Sequence, residues 1–268
     1  MSLELRRQLK YARSKLDRMR RPSGIGIQQH EYRVYSQHRE DGIIRHILDT
    51  AGVTSTRFVE FGFGPLQANC HNLLYHHGFH GLYIDGNRDK CVLMADLFAK
   101  RFPDSRVEHQ FITRENLCET ISRAGFDGDL AVLSIDVDGN DYWLWDCISC
   151  CDPALVVIEY NASLGMEQSI TVPYDPGFVR YEQHPSGLYH GASLGALAKL
   201  GGSKGFALLG VDTSGVNAFF LKRELLVDAL VERKTAEVFL SHRSRTRYKG
   251  LSQERQWELI HDMPFQAV

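Results

Sequence analysis

From residue 56 onward, short apolar runs alternate with amphipathic segments. This alternation constrains the chain more than any other feature. Apolar runs bounded by turn residues read as buried strands, and amphipathic stretches between them read as helices on the faces of a sheet. The expected strands are Arg57–Phe61, Gly81–Asp85, Arg106–Phe111, Leu130–Asp136, Leu155–Glu159, Phe206–Val211 and Asn217–Leu221. Helices should start near Leu66, Asp89, Glu115, Asp141 and Ala192. Strand–helix alternation predicts an α/β domain with a largely parallel sheet. The last two strands are joined by the turn-rich Asp212-Thr213-Ser214-Gly215-Val216, so they should pair antiparallel and make the sheet mixed.

The chain around this core divides into three parts. Residues 1–29 form a basic helical extension, 30–223 the α/β domain, and 224–268 a C-terminal extension that reads as helical with a basic interruption at His242–Lys249. In the first part Arg6, Arg7, Lys10, Arg13, Lys15, Arg18, Arg20 and Arg21 face only Glu4 and Asp17, and Pro22-Ser23-Gly24 should stop the helix. Leu5, Leu9, Ala12, Leu16 and Met19 make a short seam at helical spacing. That seam suits packing on the same domain or on a second copy in a homodimer. The basic face offers contact with an anionic partner instead. Residues 162–189 link two elements with three prolines and three glycines. So long a link inside a compact domain is usually functional, and a lid over substrate is the expectation.

Charge and cysteine usage exclude several classes. Balanced basic and acidic residues, 31 against 33, argue against a globally basic nucleic-acid binder. No apolar stretch is long enough to span a membrane, and the first residues lack a signal-peptide core, so a cytoplasmic protein is expected. The six cysteines, at 70, 91, 118, 147, 150 and 151, do not form a disulfide framework. Cys147 and Cys150 alone cannot close a tetrahedral zinc site.

Chemistry concentrates at strand ends. Glu60-Phe61-Gly62-Phe63-Gly64 is a strand running into a glycine turn. In open α/β sheets ligands bind beyond the carboxyl ends of strands, and glycines there let backbone approach the ligand. A dinucleotide fingerprint would need a third glycine where Gln67 stands. Glu60 suits a cationic amine. Asp85 ends the next strand 23 positions after Gly62, where an acid grips a ribose, although it could also cap the following helix.

These residues resemble the motifs of class I S-adenosylmethionine (SAM)-dependent methyltransferases, in which an acid-x-Gly-x-Gly turn follows strand one and an acid ends strand two. The likeness spans roughly residues 30–222 and implies a Rossmann-like seven-stranded mixed sheet with helices on both faces. A narrower likeness, to the FkbM-like branch, rests on Tyr35-Ser36-Gln37-His38-Arg39-Glu40-Asp41-Gly42 and Ser134-Ile135-Asp136-Val137-Asp138-Gly139. The second stretch departs from the Asp-Val-Glu-Gly more usual in that branch. The resemblance implies that Glu60, Phe61, Gly62 and Gly64 face the methionine part of SAM and that Asp85 holds its ribose. Ile112 and Thr113 would lie beside the adenine. Ser36 and Gln37 would meet the methionine carboxylate, or else cap the helix beginning near Glu40.

Asp136-Val137-Asp138-Gly139-Asn140-Asp141 lacks the Gly and Glu that a calcium loop requires at its sixth and twelfth positions. With Glu159 and Asn161 at the next strand end, Asp136 and Asp138 could hold a divalent cation such as Mg²⁺ that acidifies an acceptor hydroxyl. The same acids could line a metal-free pocket or cap the next helix. Asp136 or Asp138 is the expected base, with His190 in reserve and His71 a further candidate. Tyr174, Tyr181 and Tyr189 could line an acceptor pocket or anchor the link. The expected activity is O-methylation of a small sugar-like or natural-product acceptor. Two other classes stay open, a nicotinamide-dependent oxidoreductase and a non-catalytic interaction module.

Overall fold

The computed structural model describes residues 3–18 and 24–268. In chain order the chain forms α1 (Leu3–Arg18), α2 (Glu40–Thr50), β1 (Arg57–Phe61), α3 (His71–His76), β2 (His80–Asp85), α4 (Arg88–Arg101), β3 (Arg106–His109), α5 (Leu117–Arg123), β4 (Gly128–Ile135), α6 (Asp141–Cys147) and β5 (Cys151–Glu159). There follow β6 (Ile170–Thr171), α7 (Arg180–Gln183), α8 (Leu194–Ser203), β7 (Phe206–Val211), β8 (Asn217–Lys222), α9 (Thr235–Val238), α10 (Gln253–Glu258) and β9 (Gln266–Ala267).

Seven strands make one Rossmann-like mixed sheet in the order β3-β2-β1-β4-β5-β8-β7. The first five pair parallel, and β8 enters antiparallel between β5 and β7. Side chains alternate along the central strands, as a two-residue period demands. Val59, Leu133, Val156 and Ile158 meet α5, α6 and α8 on one face. Phe58, Val132, Leu155 and Val157 meet α2, α3 and α4 on the other. Both faces are covered, which is why these strands read as continuous apolar runs. The chain winds outward through β2 and β3, then returns to β4 on the far side of β1. That reversal opens a crevice at the carboxyl ends of β1 and β4, where ligands of open α/β sheets sit.

Four expectations need correction. The first helix of the core starts at His71, not near Leu66, because Gly64 and Gln67 close a tight turn on each other first. The C-terminal part is only sparsely helical. It folds back so that β9 pairs with β6, and Ile260, with Trp257 and Phe265, packs on Leu164, Val172, Phe178 and Tyr189. The 162–189 link is therefore packed against the C-terminal stretch and the core. The Trp143 indole donates to the Val172 carbonyl, and the Tyr189 hydroxyl to the Pro264 carbonyl.

The apolar seam of α1 faces outward at Leu5, Leu9 and Ala12, and Met19 lies outside the described residues together with Arg20, Arg21, Pro22 and Ser23. Polar residues of α1 make contacts to the domain. Arg7 is buried over the Tyr75 ring and donates to the Pro65 carbonyl, and Lys10 donates to the Leu66 carbonyl. Two cations of the helix thus hold the loop that follows the glycine turn. No helix among the described residues is long and apolar enough to cross a membrane.

Candidate active site

A cavity of about 550 Å³ lies at the crevice. That is within the roughly 300–1,000 Å³ typical of small-molecule sites. One wall is the glycine turn. Gly62 has φ +71°, and a Cβ there would stand 1.7 Å from the Asp136 carbonyl oxygen. Only glycine allows the ends of β1 and β4 to approach so closely. The Gly62 N–H donates to the Ile84 carbonyl, so the turn is also tied to β2.

Glu60 lines the cavity, but its two oxygens accept the N–H groups of Asn69 (2.7 Å) and Cys70 (3.0 Å). It orders the loop that leads into α3. Burial pushes its pKa up to about 7 against those two hydrogen bonds. Asp85 is not the cap of α4. Asn87 is, accepting from the Lys90 N–H. Asp85 accepts from the N–H groups of Asn87 (2.7 Å) and Phe63 (3.2 Å) and pairs with Lys90 at 3.0 Å. Its carboxylate joins the ends of β1 and β2 at the cavity rim.

Phe61, Gly64, Gln37 and Ile112 also line the cavity. Two expected residues do not. Ser36 is fully buried, and its hydroxyl and N–H both donate to Asp41, whose carboxylate also accepts from Val34 and Tyr35. It builds the turn into α2. The Thr113 N–H donates to Asn116 at the start of α5. The exposed ring of Phe111 stands beside Ile112 instead, facing Gly86, where a Cβ would come within 3.0 Å of it. Phe111 was legible only as the last residue of a strand.

At the ends of β4 and β5 the structure gathers Asp136, Asp138, Asp141 and Glu159. Asp141 is a loop anchor, accepting from the N–H groups of Val137 and Gly139. It allows Asp138 to adopt φ +58° and point outward. Asp136 and Asp138 line the cavity. Burial first, then Glu159 and Asp138, push Asp136 well above the ordinary carboxylate range. Burial and Asp138 bring Glu159 to about 8.

Asn161 is not available as a ligand. Its amide nitrogen donates to the Leu188 and His190 carbonyls, and its oxygen accepts from the Ser163 N–H and from Arg245. His190 comes to the cluster in its place. One ligand atom each from Asp138, Glu159 and His190 lie within 4.8 Å of one another. Yet His190 Nε2 is 3.0 Å from the Arg245 guanidinium, which can only donate. The lone pair of this imidazole is therefore spent on Arg245, and Nδ1 carries the proton, 3.8 Å from Glu159 Oε2. A nitrogen bearing a proton cannot bind a metal. Nor can His190 serve as a base here: it is buried off the cavity wall, and burial with Arg180 and Arg245 drives its pKa well down. Asp138 in turn is paired with Arg180. As built, these donors do not fit a divalent cation.

His71 is also removed from the site. It is buried against Tyr83, 2.8 Å from the hydroxyl, and burial lowers its pKa to about 3. Two of the three tyrosines are anchors: Tyr189 as above, and Tyr174 through Glu115 and the Arg114 N–H. Tyr181 lies exposed. Sequence reasoning missed Arg180 and Arg245. The first sits unmarked in the link. The second belongs to the basic interruption at His242–Lys249, which folds into a turn that buries it.

No protein-family model matches the chain, and no curated protein matches it. Among solved structures it is similar to an O-methyltransferase from Bacillus cereus in complex with S-adenosylhomocysteine, with 13% identity over 82% of this chain and 90% of that one and a TM-score of 0.45. It is also similar to the N-terminal domain of EvdMO1 with S-adenosylhomocysteine bound, with 11% identity over 81% and 94% and a TM-score of 0.42. A third is the O-methyltransferase TomG from Streptomyces achromogenes, involved in tomaymycin synthesis, in complex with SAM. It has 14% identity over 82% and 97%, with a TM-score of 0.42.

Proposed function

We propose that this chain is a class I SAM-dependent methyltransferase that methylates a hydroxyl of a small sugar-like or natural-product acceptor. One observation carries the reading. A cavity of cofactor size lies at the switch point of a seven-stranded sheet, between a glycine turn with no room for a Cβ and a carboxylate ending β2. When bound, SAM supplies a methyl group already activated by its sulfonium.

The chain's own residues then have positional tasks. Asp85 receives the ribose hydroxyls at the rim. Phe111 and Ile112 flank the base with apolar surface, and the turn at Gly62 presents backbone to the methionine part. Gln37 and Glu60 also line the cavity. Asp138, exposed on the cavity wall, takes the acceptor proton. With the donor already activated, proximity and alignment contribute most of the rate.

Calorimetric titration with S-adenosylhomocysteine tests the reading. We expect saturable binding to the native chain. Asp85→Ala should weaken it by roughly 10- to 100-fold, the loss of one or two hydrogen bonds to a charged group, with an unchanged far-UV spectrum. Binding of NAD with none of S-adenosylhomocysteine would overturn it in favour of an oxidoreductase. Binding of neither would favour an interaction module.

A further inference from the structure

We propose that Arg180 and Arg245 take the place of a divalent cation at the β4/β5 end of the cavity. Arg180 pairs with Asp138, and Arg245 takes the Nε2 lone pair of His190, which leaves a proton on the Nδ1 that faces Glu159.

Glu159 Oε2 and His190 Nδ1 are both deeply buried, and neither has a hydrogen-bond partner within the described residues. A buried polar pair of this kind calls for an explanation, and an ion is one. The groups around it say otherwise. Arg245 donates to Asn161, Ser163 and His190, and the Ser163 hydroxyl donates to Gln256 from α10. A guanidinium has no lone pair to offer, so every contact in this chain has one direction. It ends with a proton on His190 Nδ1 facing Glu159.

Arg180 is held from two sides. Its Nε donates to the Gly187 carbonyl at 2.7 Å, and its Nη1 pairs with Asp138. It is mostly buried, and its charge acts on Asp136 and Glu159 as well.

Arg180 is thus a positioning residue for Asp138. Its guanidinium holds that carboxylate on the cavity wall, where an acceptor would lose its proton. Only this kinetic consequence rests on the methyltransferase reading. The metal question does not.

Two measurements test the proposal. In the first, free Mn²⁺ is followed by electron paramagnetic resonance as it is titrated into native protein and into Glu159→Gln. We expect the same fraction of Mn²⁺ to stay free in both. One ion bound per native chain and released by Glu159→Gln overturns the proposal, whether or not S-adenosylhomocysteine binds.

The second measurement is the pH profile of kcat. Arg180→Met should lower turnover about 100-fold, in the range for loss of one preorganised donor. It should also move the acidic limb to higher pH, since a cation that favours the ionised carboxylates is gone. Arg180→Lys should recover most of the rate and return the limb. An unmoved limb, or a loss that lysine does not recover, overturns the role assigned to Arg180. Failure of S-adenosylhomocysteine to bind at all would sink the functional reading and leave the Mn²⁺ comparison to decide the rest.

Discussion

Gly62 shows how much one position decides. Its φ of +71° is in the left-handed region, and the space its Cβ would need holds the Asp136 carbonyl. Gly62→Ala should therefore push β1 from β4 at the cavity floor. We expect a loss of stability on the order of 2–4 kcal/mol by urea denaturation and no measurable S-adenosylhomocysteine binding. The neighbouring acid carries a different lesson. Glu60 was expected to meet an amine, and it does line the cavity. Its oxygens, however, are committed to backbone N–H groups nine and ten residues on. No spacing rule shows this commitment, because it depends on how the loop after Gly64 closes.

The C-terminal stretch behaves as one element with the 162–189 link. Each covers the other's apolar side chains through Ile260, Leu164, Val172 and Tyr189. The same layer carries Phe178 to the cavity wall and Gln256 to the buried network around Arg245. Ile260 is almost fully buried. Ile260→Ala should cost about 2–4 kcal/mol in urea denaturation, the usual range for a large-to-small change in a core. Limited proteolysis should then cut within 162–189 faster than in the native chain. At the other end α1 holds the loop after the glycine turn through Arg7 and Lys10, while Leu5 and Leu9 are exposed. A helical period identifies a face but not which face is buried. Here hydrogen bonds from two long cations to loop carbonyls decided it.

Across the whole molecule, buried titratable groups set the pH dependence of stability. His71 and His242 are held near 3, and His190 is also lowered, chiefly by burial. These groups stay neutral when folded but take up protons when unfolded. Their contribution is present above pH 6.5 and is lost as pH falls below it. Glu60 at about 7 and Glu159 at about 8 work in the opposite direction. Both keep their protons in the folded state where the unfolded chain has lost them. Their contribution is full at low pH and is lost as pH rises through those values. Asp41 and Asp141, at about 6, offset the histidines at lower pH. Above pH 6.5 the histidines no longer contribute a slope, and the thermal midpoint should decline from there to about pH 8 as Glu60 and Glu159 lose their protons. A midpoint that keeps rising to pH 8 would contradict the protonated state of Glu60 and Glu159.

The strands, their order of appearance and the antiparallel last pair were legible because they follow from local periodicity and turn chemistry. Residues 57–61 and 206–211 form strands with the bounds read from the apolar runs alone. The glycine turn and Asp85 were legible for a related reason: the switch-point rule ties them to strand ends. What only the tertiary structure decided lies where distant segments converge. Asn161 is claimed by Arg245, 84 positions later, and Asp138 by Arg180, 42 positions later. The sequence alone placed four oxygen donors at two strand ends. Whether their lone pairs meet a cation from solvent or a guanidinium from the chain depends on long-range packing, which no local pattern encodes.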